Sequence, residues 1–173
     1  MCGMRSAEAA SATGNPSATF ATAAVGTGKV IIVTGYTEPS ANYTLSQPTG
    51  LTANITAAQL IITADNVYKA AGTQLTSPAS GVTDFTAVGL VNNETIGSVT
   101  MTYGTGAAST ATAGTYIGSA TPSSAVGGTF TLSNYNPTYI SGDIIVGNMR
   151  YAVASGAWNA TSTWAATTGG TAG

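Results

Sequence analysis

The chain has 173 residues, of which four are basic and six acidic, for a formal net charge of −2. The basic residues Arg5, Lys29, Lys69 and Arg150 stand singly, which excludes the clustered cationic face of a nucleic-acid binder and the polybasic patch of a membrane-surface protein. There is no histidine, which removes Ser-His and Cys-His catalytic pairs and His-based metal sites.

Residues 1–13 are small and polar and predict a flexible leader. Its sole cysteine, Cys2, has no internal partner for a disulfide. "MCGMRSAEAASATG" carries no apolar signal-peptide core. "ATFATA" around Phe20 predicts a short strand, and Val25–Lys29, "VGTGK", a Gly-rich turn. "VGTGK" is not a phosphate loop, since no Ser or Thr follows the lysine and no helix is expected there. Val30, Ile31, Ile32 and Val33 form a continuous β-branched run of the kind that suits a strand buried on both faces.

Gly35, Pro39 and Ser40 end that strand, and "NYTLSQ" from Asn42 predicts the next. Further strands are expected at Leu51–Ile55 and Gln59–Ala64. After a turn at Asp65-Asn66 comes another at Val67-Tyr68. Phe85–Leu90 and Ile96–Tyr103 read as two strands joined through Asn92-Asn93, whose short amides tolerate left-handed backbone. A strand is expected around Tyr116, and "GGTFTLSNYNPTYISGDIIVG" holds the last three pieces.

No stretch shows sustained helical spacing, and no apolar run approaches the roughly 18–20 residues of a membrane span. Thr, Val, Ile, Tyr and Gly dominate, with turn signals every 8–12 residues or so, as in all-β sandwiches. Leu, Ile, Val and Phe number only 30 of 173 residues. With so little net charge and clustered apolar residues, the chain nonetheless reads as folded, with a thin core.

Its surface is then largely Thr, Ser, Asn and Ala. Cytosolic surfaces usually intersperse both charges, so the expected location is extracellular or at the cell surface. An exported protein with no visible signal reads as a part of something larger.

Two stretches share a rhythm, Asn42-Tyr43 leading to Leu51–Ile55, and Asn134-Tyr135 leading to Ile144–Val146. An internal repeat of this kind predicts tandem small β-sandwich-like modules in an elongated arrangement, meeting near Ala57 to Gln59. Residues 14–58 resemble the C-terminal half of a YDG-type repeat of large bacterial adhesins. The resemblance rests on "ATF" at Ala18, "VGTGK" at Val25, "VTGYT" at Val33, "NYTL" at Asn42 and "ANIT" at Ala53.

Residues 59–147 are similar to an MBG-type domain through "LIITA" at Leu60, Val67-Tyr68, "VGLVNNETI" at Val88, "AGTY" at Ala113 and "NYNPTYISGDIIV" at Asn134. The family's Tyr-Gly is here Tyr68-Lys69. The first half of the YDG repeat is missing, which implies an incomplete sheet at that end. Residues 148–173 resemble the opening of a further module. These resemblances imply a non-catalytic spacer or stalk in a cell-surface adhesin.

Two alternatives stand beside the stalk: a filament subunit assembled by β-strand donation and a carbohydrate-binding module. No cofactor is expected. If a cation binds, calcium is the natural one, with Asp65, Asn93, Glu94 and Asp143 as weak donor candidates beside Asn66. A stalk could also be stiffened by a Lys–Asn crosslink, which needs Lys29 or Lys69 buried beside a carboxylate. Four glycosylation sequons, at Asn42, Asn54, Asn93 and Asn159, follow from a Thr- and Asn-rich composition.

Trp158, Trp164, Tyr135 and Tyr139 are the candidates for interface or sugar-stacking rings. The expected partners are neighbouring modules of the same or an identical chain and surface glycans, with no nucleic acid and no membrane insertion.

Overall fold

A computed structural model describes residues 11–148 and the backbone of 151–152 and 164–165. The described residues contain strands and one short 3-10 turn but no α-helix, so the fold is all-β. Among the described residues no helix is long and apolar enough to cross a membrane. The chain divides into two compact units between Ala57 and Ala58.

The first unit is an antiparallel three-stranded sheet in the order β1-β2-β3, formed by Thr13–Phe20, Gly26–Thr37 and Thr52–Ile55. Phe20 pairs with Ile31, Ala18 with Val33 and Lys29 with Ala53, so these side chains share one face. Thr19 with Ile32 and Val30 with Thr52 form the other. The second face is open, with Val30 59% and Ile32 48% exposed. This overturns the expectation of a strand buried on both faces: no second layer covers the run, and no residue from 11 to 57 is buried.

β1 begins at Thr13, inside the predicted leader, and absorbs Pro16 at a register shift between Gly14 and Ser17. As an edge strand it tolerates the proline's missing N–H. The strand predicted at "NYTLSQ" does not form, and Asn42-Tyr43 opens no strand. Its pairing role is taken by one side chain: the Gln47 amide accepts from Tyr36 N at 3.3 Å and donates to Tyr36 O at 2.7 Å. "VGTGK" does not form the expected turn: Gly26–Lys29 open β2 and pair with β3, with a register shift between Gly26 and Lys29. Lys29 Nζ donates to Thr22 O, Thr22 Oγ1 and Ala24 O, and Gly28, at φ +60°, donates its N–H to Asn54 Oδ1.

The second unit is a sandwich. One sheet has the order β10-β4-β7, formed by Tyr135–Ile140, Ala58–Ala64 and Phe85–Val88. The other has the order β5-β11-β9-β8-β6: Val67–Ala70, Gly142–Gly147, Gly114–Gly128, Ile96–Tyr103 and Ala79–Val82. Period-two alternation turns Leu60, Ile62 and Ala64 of β4 inward and leaves Gln59 and Ile61 outside. Leu60 and Ile62 join Val99, Met101, Ala120, Ile144 and Val146 of the facing sheet in one core. At about 25 cal/mol per Å² of apolar surface, this core is the main stabilising term in the unit.

Two pairings are parallel, β10 with β4 and β11 with β5. β4 runs into β5 through Asp65-Asn66, and β10 runs into β11 through Ser141. The two arms therefore lie side by side and cross from one sheet to the other at the same corner. Gly142 is required there, because a Cβ would sit 2.5 Å from Asp65 O and 2.7 Å from Ala64 O. Asn66 Oδ1 accepts from Asp143 N at 2.9 Å and ties the arms together. The structural counterpart of β10–β11 is thus β4–β5, not the Asn42–Ile55 stretch to which the sequence rhythm pointed.

Three more details depart from expectation. "TFTL" supplies no strand but leads into the 3-10 turn Leu132–Asn134. β6 was not anticipated, since Ala-Ser-Gly-Val carries no β-branched run. β7 ends at Val88 because Gly89, at φ +106°, packs against Gln59 O so closely that no Cβ would fit. Asn92 and Asn93 adopt φ of 54° and 56°, the left-handed turn their amides favour. Of the predicted tail, two short paired strands are described, β12 (Tyr151–Ala152) and β13 (Trp164–Ala165).

Candidate functional site

The predicted site residues separate into two places. Glu94 lies beyond the Asn92-Asn93 turn, and its Oε2 accepts from the Tyr135 hydroxyl at 2.6 Å. Tyr135 is aligned with Ala58, the first residue of β4. Asp65 follows the last residue of β4, and Asp143 is bonded to Asn66 beside it. A seven-residue strand rises roughly 20 Å, so Asn93 and Glu94 lie at one end of β4 and Asp65 and Asp143 at the other. The four calcium candidates do not form one site. Among the described residues no three His, Cys, Asp or Glu side chains converge as a metal would need.

The tyrosines are packing residues. Tyr135 is 5% exposed, and its ring lies 6.2 Å from that of Phe130. Its hydroxyl also accepts from Val91 N at 3.1 Å. Burial foremost, and then the hydrogen bond to Glu94, hold its phenol above the ordinary value of 10.0. Tyr139 is half-buried, and its hydroxyl accepts from Ala125 N at 3.1 Å, joining the two sheets. Neither ring is placed to stack on a ligand. Trp158 lies outside the described residues, and of Trp164 only the backbone, in β13, is described.

The lysines considered for a crosslink have other roles. Lys69 is buried, and its Nζ donates to Thr73 O and Ala108 O, both at 2.7 Å. This binds the turn after β5 to the β8–β9 connection. Lys29 of β2 holds the Thr22–Ala24 segment that precedes its strand, so neither ammonium sits on a carboxylate.

The sheet-switch corner carries more chemistry than its sequence suggests. Ala64, Asp65, Asn66, Tyr68 and Asp84 line an open groove of about 640 Å³. Asp65 N donates to Asp84 O at 3.1 Å, which sets the two aspartates side by side. After burial, the Asp84 charge is the second influence raising the phenol of Tyr103. Asp84 and Tyr68 were missed as site residues, since only the sheet pairing brings Asp84 beside Asp65.

No family model matches the chain, and no curated protein or solved structure matches it either. The class defined here is therefore that of the fold alone, an all-β chain of two units.

Proposed function

We propose that the chain is a non-catalytic, extracellular stalk segment of a bacterial surface adhesin, in which consecutive β units act as spacers. The observation that carries this reading is the division between Ala57 and Ala58. β3 and β4 are separated by two residues yet belong to different units, each with its own sheets. The low charge and hydroxyl-rich surface support an extracellular setting.

Under tension applied from end to end, antiparallel and parallel ladders must be broken bond by bond. Single-molecule pulling of the chain between marker domains should give a resisted unfolding step for residues 58–147, releasing on the order of 30 nm of extended chain. Extension without measurable resistance would remove the mechanical reading. Antibody labelling of intact against lysed cells tests the location.

A second reading, a filament subunit joined by strand donation, is favoured by one specific feature. β1 is a sheet edge whose eight residues are all exposed, in a unit whose described residues, 11–57, include none that is buried. Light scattering over a dilution series separates the two readings: a stalk segment stays monomeric, whereas a strand-donating subunit polymerises.

A further inference from the structure

β7 is the outer strand of its sheet, with β4 on one side and no strand on the other. Asp65 N donates to Asp84 O, which fixes the phase of the antiparallel ladder. Asp84, Thr86 and Val88 therefore turn their backbone groups toward β4, where they face Asp65, Thr63 and Ile61. Phe85 O, Ala87 N and Ala87 O point the other way. So does Gly89 N, which lies across a trans peptide from Val88 O. Among the described residues, no turn, loop or side chain bonds any of these outward groups.

Free edges are normally blunted by proline, charge, an irregularity or a cover. In the same unit β10 contains Pro137, and β6 holds Gly81 at φ +73° and a register shift against β8. Ala70 O of β5 is occupied by the Thr73 N–H and hydroxyl. Phe85-Thr86-Ala87-Val88 has no proline, no charge and no register shift, and Val88 is 67% exposed.

We propose that β7 is the edge through which a second copy of this chain associates, the two strands pairing antiparallel about a two-fold axis at Ala87. The outward groups are self-complementary about that residue. Ala87 N of each copy donates to Ala87 O of the other, and Gly89 N of each donates to Phe85 O of the other. The side chains agree with this register. Phe85 falls opposite Gly89 of the second copy, which has no side chain to obstruct the ring. Thr86 falls opposite Val88, a β-branched pair in the close, non-hydrogen-bonded position.

Charge selects the direction. Parallel pairing in register would set Asp84 against its own copy, whereas the antiparallel pair faces Asp84 with Leu90 and keeps the two carboxylates roughly 20 Å apart. A foreign strand could meet the backbone groups, but this sequence supplies the matching reverse order itself. Two-fold pairing uses up both free edges, so assembly stops at the dimer. One short strand makes a small, transient interface. The dilute chain therefore stays monomeric, and the contact operates between chains held close together. It involves neither β1 nor the first unit, and does not depend on the stalk reading.

The test is sedimentation equilibrium and amide-resolved NMR of the full chain over a concentration series. A monomer–dimer equilibrium with a Kd of about 0.1–1 mM is expected, with no larger species. Concentration-dependent shifts should fall at Thr86, Ala87, Val88 and Gly89. Thr86→Lys combined with Val88→Lys sets like charges opposite each other and should weaken the dimer by about tenfold. Thr86→Lys combined with Val88→Glu sets opposite charges there, and should restore association in a salt-sensitive way. Both positions are exposed, so melting curves of the two variants should match. The proposal is overturned if the chain stays monomeric throughout, if the shifts fall in β1–β3 instead, or if the two double variants associate equally.

Discussion

Tyr135 illustrates how one side chain can hold several elements of a thin core. Its ring is buried in the sandwich, while its hydroxyl donates to Glu94 and accepts from Val91 N. The turn before β8 is thereby fastened to the start of β10. Tyr135→Phe keeps the ring but removes both hydrogen bonds; with Val91 exposed and Glu94 half-buried, water replaces the hydroxyl in part, so a small fall in the denaturation midpoint is expected, to be read by denaturant titration.

The phenol is also a pH-dependent element. Because its folded value is raised above 10.0, the fold binds this proton more tightly than the unfolded chain does. The resulting stability is complete below pH 10 and is lost as the pH rises through the folded value. Denaturation midpoints from pH 8 upward should therefore fall more steeply in the parent chain than in Tyr135→Phe. Equal slopes would remove Tyr135 from the alkaline transition.

At the scale of strands, the corner where β4–β5 and β10–β11 change sheets is the most constrained part of the fold. Gly142→Ala places a methyl group against two carbonyl oxygens of the opposite arm. Overpacking of this kind costs about 1–3 kcal/mol, whereas Gly72→Ala meets no neighbour within 4 Å and is strained only by its φ of +88°. Comparing the two melting curves separates a packing clash from a backbone effect. A smaller loss for Gly142→Ala would show that the corner can shift.

How much of this was legible follows from the residues themselves. β3, β4, β8 and β11 announce themselves as β-branched or apolar runs between Gly, Asn and Pro turns. β6 has no such run and is a strand because the edge of β8 accepts it, Ala79 opposite Met101. In the "NYTLSQ" segment the reverse holds, since a side-chain amide competes for the bonds a strand would make. Partner choice was not legible at all. Pairing joins residues distant in the chain, and local propensity carries no record of which strand lies beside which. For the same reason Asp65 was named as a donor candidate while Asp84, its neighbour in space, was not.

Considered as a whole, the chain joins two units of unequal burial. Residues 58–147 enclose a core with Leu60, Ile62, Met101 and Ile144 fully buried, whereas residues 11–57 bury nothing. Local stability follows burial. Hydrogen exchange should show β1–β3 amides exchanging well before those of β4, β8 and β9, as two separate populations. A single common exchange rate would contradict independent units. Ile62→Ala should destabilise the second unit by about 2–5 kcal/mol while leaving β1–β3 exchange unchanged.

The parallel pairing also sets a timetable. β4 stays without one of its two neighbours, and β5 without its only one, until the segment near residue 140 is available, since Gln59 meets Thr138 and Asn66 meets Asp143. Contacts of such long sequence separation make for slow folding. On a ribosome, Leu60 and Ile62 would emerge long before the strands that cover them, and the sandwich could close only near the end of its own synthesis.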